Sequence, residues 1–189
     1  MNNEKVTQFM SLGGQAIASQ IDLGTDAQRK LGAQLLLSEV LEYVIKGLGV
    51  TPEVNGVKIT EPENLQYHVA QQADVTEMVD GLADVAYTMY WNSNAFGIPL
   101  EKAYEMVCDN NLEKFVKLGA WAAGLTELPP EQWGCRTGVT WPSEVVKVQV
   151  VTYKGELWAV GKDARGKVRK PGSYKPVDLS QIINHAGVA

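Results

Sequence analysis

The chain has 189 residues, which is the length of one ordinary domain with an appendage. Its residues are 45% hydrophobic and 21% charged, so it can bury a hydrophobic core and is not disordered as a whole. The formal net charge of −5 argues against the broad basic surface that binds nucleic acid polymers or anionic membranes, and we expect neither partner.

Zinc centres and membrane spans are also disfavoured by the sequence. Cys108 and Cys135 are too few for a disulfide scaffold, and neither His68 nor His185 stands at zinc-ligand spacing from a cysteine. No apolar run approaches the roughly 18 residues of a membrane span. Residues 1–5 lack the basic and then apolar layout of a signal peptide, so the expected compartment is the cytoplasm.

Three helices are predicted in the first two thirds of the chain. A cap at Thr25 or Asp26 and apolar side chains at three- and four-residue steps predict the first, over about 25–48. A loop rich in proline and glycine follows. The second helix is predicted from residue 66 or 69 to about residue 94, and it is either continuous or broken near Asp74. Pro99 begins the third, over about 99–118. Three consecutive helices with short breaks predict an all-α antiparallel bundle over residues 1–118.

Residues 119–189 are predicted to form a C-terminal extension. Glycine and proline interrupt the first part, which indicates an irregular loop. The alternating residues 145–151, a turn at 153–155 and the apolar run 156–160 then predict a β-hairpin. A basic segment over 166–172 precedes a polar tail.

Carboxylates on the first two predicted helices indicate a metal site. Glu39 and Glu42 share one face of the first helix, and Glu77, Asp80 and Asp84 share one face of the second. Leucine and valine flank both sets, and burying like charges unpaired costs several kcal/mol. A Mg²⁺ ion removes this repulsion because it takes oxygen ligands. The alternative is a solvated acidic face, which is the common reading of any single pair at this spacing.

The order and spacing of these residues resemble those of a known family. Glu39 and Glu42, followed by Asp80 and Asp84, resemble the ExxE and ExxD signature of the all-α nucleoside triphosphate pyrophosphohydrolases. Gly97 lies thirteen residues beyond Asp84, as a glycine does in that family.

Further segments extend this resemblance along the chain. Residues 111–115 resemble the family's N-x-x-K-F element. Residues 6–15 resemble the N-terminal element of a phage and bacterial MazG-like subgroup, and 166–179 resemble its C-terminal ending. The stretch between the core and this ending, hairpin included, has no counterpart and is interpreted as an insertion.

The resemblance implies Mg²⁺-dependent hydrolysis of a nucleoside triphosphate between the α- and β-phosphates, with Mn²⁺ as the alternative metal. The products are a nucleoside monophosphate and pyrophosphate. The metal ligands would be Glu39, Glu42, Asp84 and a residue replacing the family glutamate, which aligns with Gly81. Asp80 is the first choice for that replacement, and Glu77 is the other.

Other residues receive roles in binding and proton transfer. Glu39 is the candidate base that takes a proton from the attacking water. By the resemblance, Asn111 and Lys114 contact phosphate or sugar. Lys30 is a further candidate for phosphate, with a solvated side chain as the alternative reading.

A three-helix core leaves an apolar face that it does not cover itself. Family members dimerise or form tetramers, so a homodimer or homotetramer is expected. Two functional alternatives stay open: a nucleotide-binding protein without catalysis on the same fold, and an interaction module that docks a partner through its C-terminal extension.

Overall fold

The computed structural model describes residues 3–183. His185 and the first two residues, which entered the expectations on zinc and targeting, lie outside this range. The backbone divides into two compact units. The sheet unit comprises residues 3–17 and 87–183, and the helical unit comprises residues 18–86. The predicted domain boundary at residue 118 stays a prediction. The two units describe how compactly the chain is folded, and a domain boundary concerns which parts fold independently.

A four-stranded antiparallel sheet organises the sheet unit. Its strands are β3 (Val116–Leu118), β4 (Glu127–Leu128), β5 (Lys147–Tyr153) and β6 (Glu156–Lys162), in the spatial order β3-β6-β5-β4. The central pair is the predicted hairpin, which is therefore confirmed. Its turn places Lys154 and Gly155 at φ of 49° and 79°, the left-handed geometry that tight hairpins need.

Both faces of the sheet are covered. On one face, residues 119–145 supply the cover, and Ala122, Leu128, Val148 and Ala159 form a buried cluster with Trp133 and Trp141 packed against it. On the other face lies helix α1 (Glu4–Gly13), where Leu12 packs with Phe115 and Val160. The rings of Phe9 and Phe115 meet edge to face, with centroids 5.1 Å apart.

Helix α4 (Leu100–Leu112) packs against α1 within the sheet unit. The ammonium of Lys5 lies 2.6 Å from the carboxylate of Asp109, which joins the two helices at their surface. Two short helices, α5 (Trp133–Thr137) and α6 (Ser180–Ile183), and two 3₁₀ turns complete the unit. The turns are Ala120–Ala122 and Pro130–Gln132.

The helical unit contains α2 (Asp26–Glu42) and the first half of α3 (Val75–Phe96). A π-helical turn (Tyr43–Gly47) continues α2, and the connection to α3 carries a small hairpin and a 3₁₀ turn. These elements are β1 (Glu53–Val54), β2 (Val57–Lys58) and Pro62–Asn64.

Side-chain caps determine where both long helices begin. Thr25 caps α2 as predicted: its hydroxyl accepts from the backbone N–H of Gln28, and the Gln28 side chain accepts from the backbone N–H of Thr25. The carboxylate of Asp74 accepts from the backbone N–H of Thr76 at 2.7 Å and of Glu77 at 3.2 Å. The second helix therefore begins at Val75, and because residues 65–74 are not helical, the predicted start at 66 or 69 is wrong in both predicted forms.

The predicted all-α antiparallel bundle is wrong. The chain has a mixed α/β fold with two antiparallel sheets, about 47% helix and 13% strand. The predicted third helix ends at Leu112 instead of 118, because Val116 and Leu118 pack on one face of the sheet with the two-residue period of a strand. They belong to β3, which pairs with β6. In the described part of the chain, no helix combines the length and apolar character needed to cross a membrane.

Candidate functional site

The two glutamates of the first carboxylate pair lie near the C-terminal end of α2. Glu39 and Glu42 are both exposed, one helical turn apart. Glu42 accepts a hydrogen bond of 2.8 Å from the ammonium of Lys46, four residues further along the chain. This hydrogen bond and the charge of Glu42 raise the pKa of Lys46 above its ordinary value.

The second set lies in the part of α3 that belongs to the helical unit. Glu77, Asp80 and Asp84 are all exposed, at steps of three and four residues along the helix. Gly81, where the family glutamate aligns, has open space around the position of a Cβ. The spacing predicted from the sequence is thus confirmed on a continuous helix.

The structure does not bring the two sets together within one chain. Within residues 3–183, no group of three or more histidine, cysteine, aspartate or glutamate side chains is close enough to hold a metal ion. Helix α2 and the first half of α3 do not pack along their lengths. Carboxylate oxygens are the donors that Mg²⁺ prefers. The donor types therefore fit Mg²⁺, which one or two carboxylates can hold together with water and substrate phosphates.

Exposed apolar side chains surround both carboxylate sets. Leu35 beside the first pair is 56% exposed, and Leu82 between Asp80 and Asp84 is 63% exposed. A solvated acidic face would normally carry polar neighbours. The other large apolar side chains exposed on these two segments are Leu31, Leu36, Leu37 and Val40 on α2, and Val75, Met78 and Val79 on α3.

The predicted phosphate-binding residues Asn111 and Lys114 lie together at the C-terminal end of α4, in the sheet unit. The ammonium of Lys114 donates a hydrogen bond of 2.7 Å to the side-chain oxygen of Asn111 and lies 5.4 Å from the centre of the Phe9 ring. Both side chains are half-buried. Asn111 and Phe9 also line a cavity of about 220 Å³ between α1 and α4. Lys30, by contrast, is exposed on α2 in the helical unit.

A buried asparagine next to this pair was not predicted from the sequence. The side-chain amide of Asn110 donates a hydrogen bond of 2.7 Å to the backbone oxygen of Lys175. Its oxygen accepts a hydrogen bond of 2.5 Å from the hydroxyl of Tyr174. The C-terminal segment is thereby attached to α4 one residue before Asn111. No local pattern signals a contact between residues so distant in sequence.

Comparison with known proteins found no match to this chain among protein-family models, curated proteins or solved structures. The resemblance to the all-α nucleoside triphosphate pyrophosphohydrolases therefore rests on the sequence motifs alone. It stays a prediction.

Proposed function

We propose that this protein hydrolyses a nucleoside triphosphate at the bond between the α- and β-phosphates, in a Mg²⁺-dependent reaction that yields a nucleoside monophosphate and pyrophosphate. We place the reaction in the cytoplasm and assign it to a homodimer or homotetramer. The observation that supports the proposal is the position of two carboxylate sets on long helices among apolar side chains that the chain leaves exposed.

These apolar neighbours distinguish the carboxylates from an ordinary solvated face. Exposed leucine and valine side chains favour contact with another surface, because removing them from water is stabilising. Such a contact would also take Glu39, Glu42, Asp80 and Asp84 out of water, where like charges repel strongly. A divalent cation offsets that repulsion, and when bound it also neutralises the phosphates of the substrate.

The chain's own residues take the following parts in the proposal. Glu39 accepts a proton from the attacking water, because a carboxylate beside the reacting phosphate can act as a general base. Asp80 stands in for the family glutamate at Gly81, with Glu77 one turn away as the other candidate. Asn111 and Lys114, joined by their hydrogen bond, present one amide and one positive charge for phosphate or sugar oxygens. Lys30 adds a further positive charge for phosphate from α2.

The alternative is a protein that binds nucleotides or partners without catalysis. The same exposed apolar side chains favour this alternative, because large uncovered apolar patches mark interaction surfaces. Release of pyrophosphate separates the two functions, since only the enzyme produces it.

The experiment incubates purified protein with Mg²⁺ and a panel of canonical and modified nucleoside triphosphates, and measures pyrophosphate. We expect release from at least one substrate and its loss on chelation of the metal. Glu42→Gln and Asp84→Asn should each lower the rate by about a hundredfold or more, because each removes a charged ligand.

Glu53→Gln is the matched control for these variants. Glu53 is an exposed carboxylate of the same unit, on β1, outside both carboxylate sets. This variant should keep the wild-type rate. Unchanged rates in Glu42→Gln and Asp84→Asn would contradict the proposed site, and absence of pyrophosphate from every triphosphate would favour the non-catalytic alternative.

A further inference from the structure

The turn over residues 113–115, which connects α4 to β3 and carries Lys114, has weak backbone support. Its three backbone hydrogen bonds, each to the carbonyl three residues earlier, are 3.2, 3.3 and 3.1 Å long. A backbone N–H···O bond is usually about 2.9–3.0 Å long, and longer bonds are weaker. The conformation of this turn therefore depends on the side chains that hold it at either end.

Buried side chains anchor the turn at both ends. After it, Phe115 is 4% exposed and packs in the apolar cluster between the sheet and α1. Before it, Asn110 is 9% exposed, and its side-chain amide is hydrogen-bonded to the C-terminal segment. Between these anchors in the sequence lie Asn111 and Lys114, half-buried and joined by their own hydrogen bond. A shift of either anchor would therefore move the Asn111–Lys114 pair.

The hydroxyl of Tyr174 holds the amide of Asn110 in one orientation. It donates to Oδ1 of Asn110 at 2.5 Å, while Nδ2 of Asn110 donates to the backbone oxygen of Lys175 at 2.7 Å. An amide turned over would place its NH₂ group against the backbone carbonyl no longer, because only the nitrogen donates and only the oxygen accepts. Without the hydroxyl, the buried oxygen would lose its donor, which favours rotation of the side chain toward water.

The segment that carries Tyr174 is itself fixed within the sheet unit. The backbone N–H of Gly172 donates a hydrogen bond of 2.8 Å to the backbone oxygen of Thr140. Gly172 has no room for a side chain, because a Cβ there would collide with the side chain of Thr140. The ammonium of Lys170 lies 4.5 Å from the centre of the Tyr174 ring. Tyr174 therefore presents its hydroxyl to α4 from a fixed position.

We infer that Asn110 and Tyr174 are positioning residues for the nucleotide: their hydrogen bond holds Asn111 and Lys114 in the arrangement that receives the phosphates of the triphosphate. This inference rests on the proposed function, which supplies the ligand. Asn111 lines the cavity between α1 and α4, whereas neither Asn110 nor Tyr174 does. The pair therefore acts through the turn, and the C-terminal segment affects nucleotide affinity without contacting the nucleotide.

A double-mutant cycle on nucleotide affinity tests this inference. The ligands are the Mg²⁺ complexes of α,β-methylene ATP, GTP, CTP and UTP, in which a methylene group replaces the oxygen of the bond to be hydrolysed. Calorimetry measures their dissociation constants. Lys114→Met should raise the dissociation constant about tenfold or more, because one charge-assisted contact is lost. Tyr174→Phe should raise it about threefold to tenfold in the wild-type background but less than about twofold in the Lys114→Met background, since both changes act through one contact.

Tyr90→Phe is the matched control. Tyr90 lies in the second half of α3, within the sheet unit, and its hydroxyl donates a hydrogen bond of 2.5 Å to Glu101 in the first turn of α4. The variant removes the same kind of bond to the same helix at the end remote from Lys114, so it should leave the dissociation constant unchanged. Equal increases from Tyr174→Phe in both backgrounds, an equal increase from Tyr90→Phe, or unchanged affinity in either Tyr174→Phe or Lys114→Met would overturn the inference.

A measurement without nucleotide separates this inference from the proposed function. Reductive methylation with ¹³C-formaldehyde labels the lysines, and the Lys114 signal is the one absent from Lys114→Arg. The ammonium of Lys114 lies 5.4 Å from the centre of the Phe9 ring, so the ring should displace the methyl signal. Tyr174→Phe should move this signal toward those of exposed lysines, and Tyr90→Phe should not.

The methyl signal decides the positioning even if the wild type binds none of the four analogues. A Lys114 signal that is not displaced in the wild type, or that Tyr174→Phe leaves in place, would overturn the positioning. Absence of nucleotide binding together with the expected movement of the signal would support the positioning of Lys114 and count against the proposed function alone.

Discussion

The ring of Trp141 lies against the backbone of Gly161 in strand β6. A Cβ at position 161 would fall 2.4 Å from Cε3 of that ring and 3.3 Å from the Val145 side chain. Glycine is required here for space, since the indole covers the strand where any other residue would project a side chain. This contact closes the buried cluster on the face of the sheet covered by residues 119–145.

Gly161→Ala should therefore destabilise the sheet unit. Forcing a methyl group against a packed ring costs about 1–3 kcal/mol of unfolding free energy. Urea denaturation followed by tryptophan fluorescence measures the loss. Gly134→Ala is the matched control, because Gly134 lies in α5 and the nearest atom to its Cβ position is 3.9 Å away. Equal stability of the two variants would contradict the packing of Trp141.

Tyr174→Phe should loosen the attachment of the C-terminal segment to α4. The variant removes the hydroxyl that donates to Asn110, a buried side chain, so we expect a loss of about 1–2 kcal/mol. Thermal denaturation and hydrogen exchange over residues 172–183 measure it. Tyr67→Phe makes the same chemical change at a buried hydroxyl with no hydrogen-bond partner among the described residues, and it should not destabilise. The opposite ranking of the two variants would count against this attachment.

Acid should destabilise the end of the sheet through Asp163. Burial by itself would raise the pKa of this carboxyl, but hydrogen bonds from the backbone N–H groups of Lys167 and Arg165 and the charge of Arg169 outweigh it and lower the pKa. The ordinary pKa of such a carboxyl is about 4. A carboxyl whose pKa is lower in the folded state stabilises the fold at pH values above that ordinary pKa, and this stability is lost as the pH falls through the folded-state pKa.

Asp163→Asn should accordingly show a smaller fall in stability between pH 7 and pH 3 than the wild type. Urea denaturation at both values measures the difference. The two proteins would lose stability in parallel if Asp163 carried no such linkage.

Lys114→Met should weaken substrate binding if Lys114 contacts phosphate. We expect KM for the triphosphate to rise about tenfold or more, since one charge-assisted contact is lost. Lys117→Met, at an exposed residue of β3 paired with Glu156, is the control and should leave KM unchanged. A fall in kcat alone in Lys114→Met, with KM constant, would contradict the assigned role.

Local signals predicted much of the secondary structure. The Thr25 cap begins α2, and the turn at Lys154 and Gly155 joins a hairpin at the predicted place. The helix cap and the hairpin turn each depend only on residues that are neighbours in the sequence, so a local sequence pattern is enough to predict them. The regular spacing of Glu39, Glu42, Asp80 and Asp84 on two helices was predictable for the same reason.

Pairing between distant residues was not predictable in this way. Strands β3 and β4 have only three and two residues, too few for alternation to identify a strand from the sequence, and both exist because they pair with the central hairpin. The regular spacing of apolar residues on α2 was interpreted as burial of one helix face within a bundle. Such spacing indicates that a helix has an apolar face, but it does not identify the surface that packs against that face. The attachment of Tyr174 to Asn110 had no local signal for the same physical reason.

The phosphorus-31 NMR spectrum of a nucleoside triphosphate incubated with the protein and Mg²⁺ tests the central claim most directly. The wild type should convert the triphosphate signals into those of a nucleoside monophosphate and pyrophosphate, and Asp84→Asn should leave them in place over the same period. Formation of a nucleoside diphosphate and orthophosphate, or equal conversion by both proteins, would contradict the account.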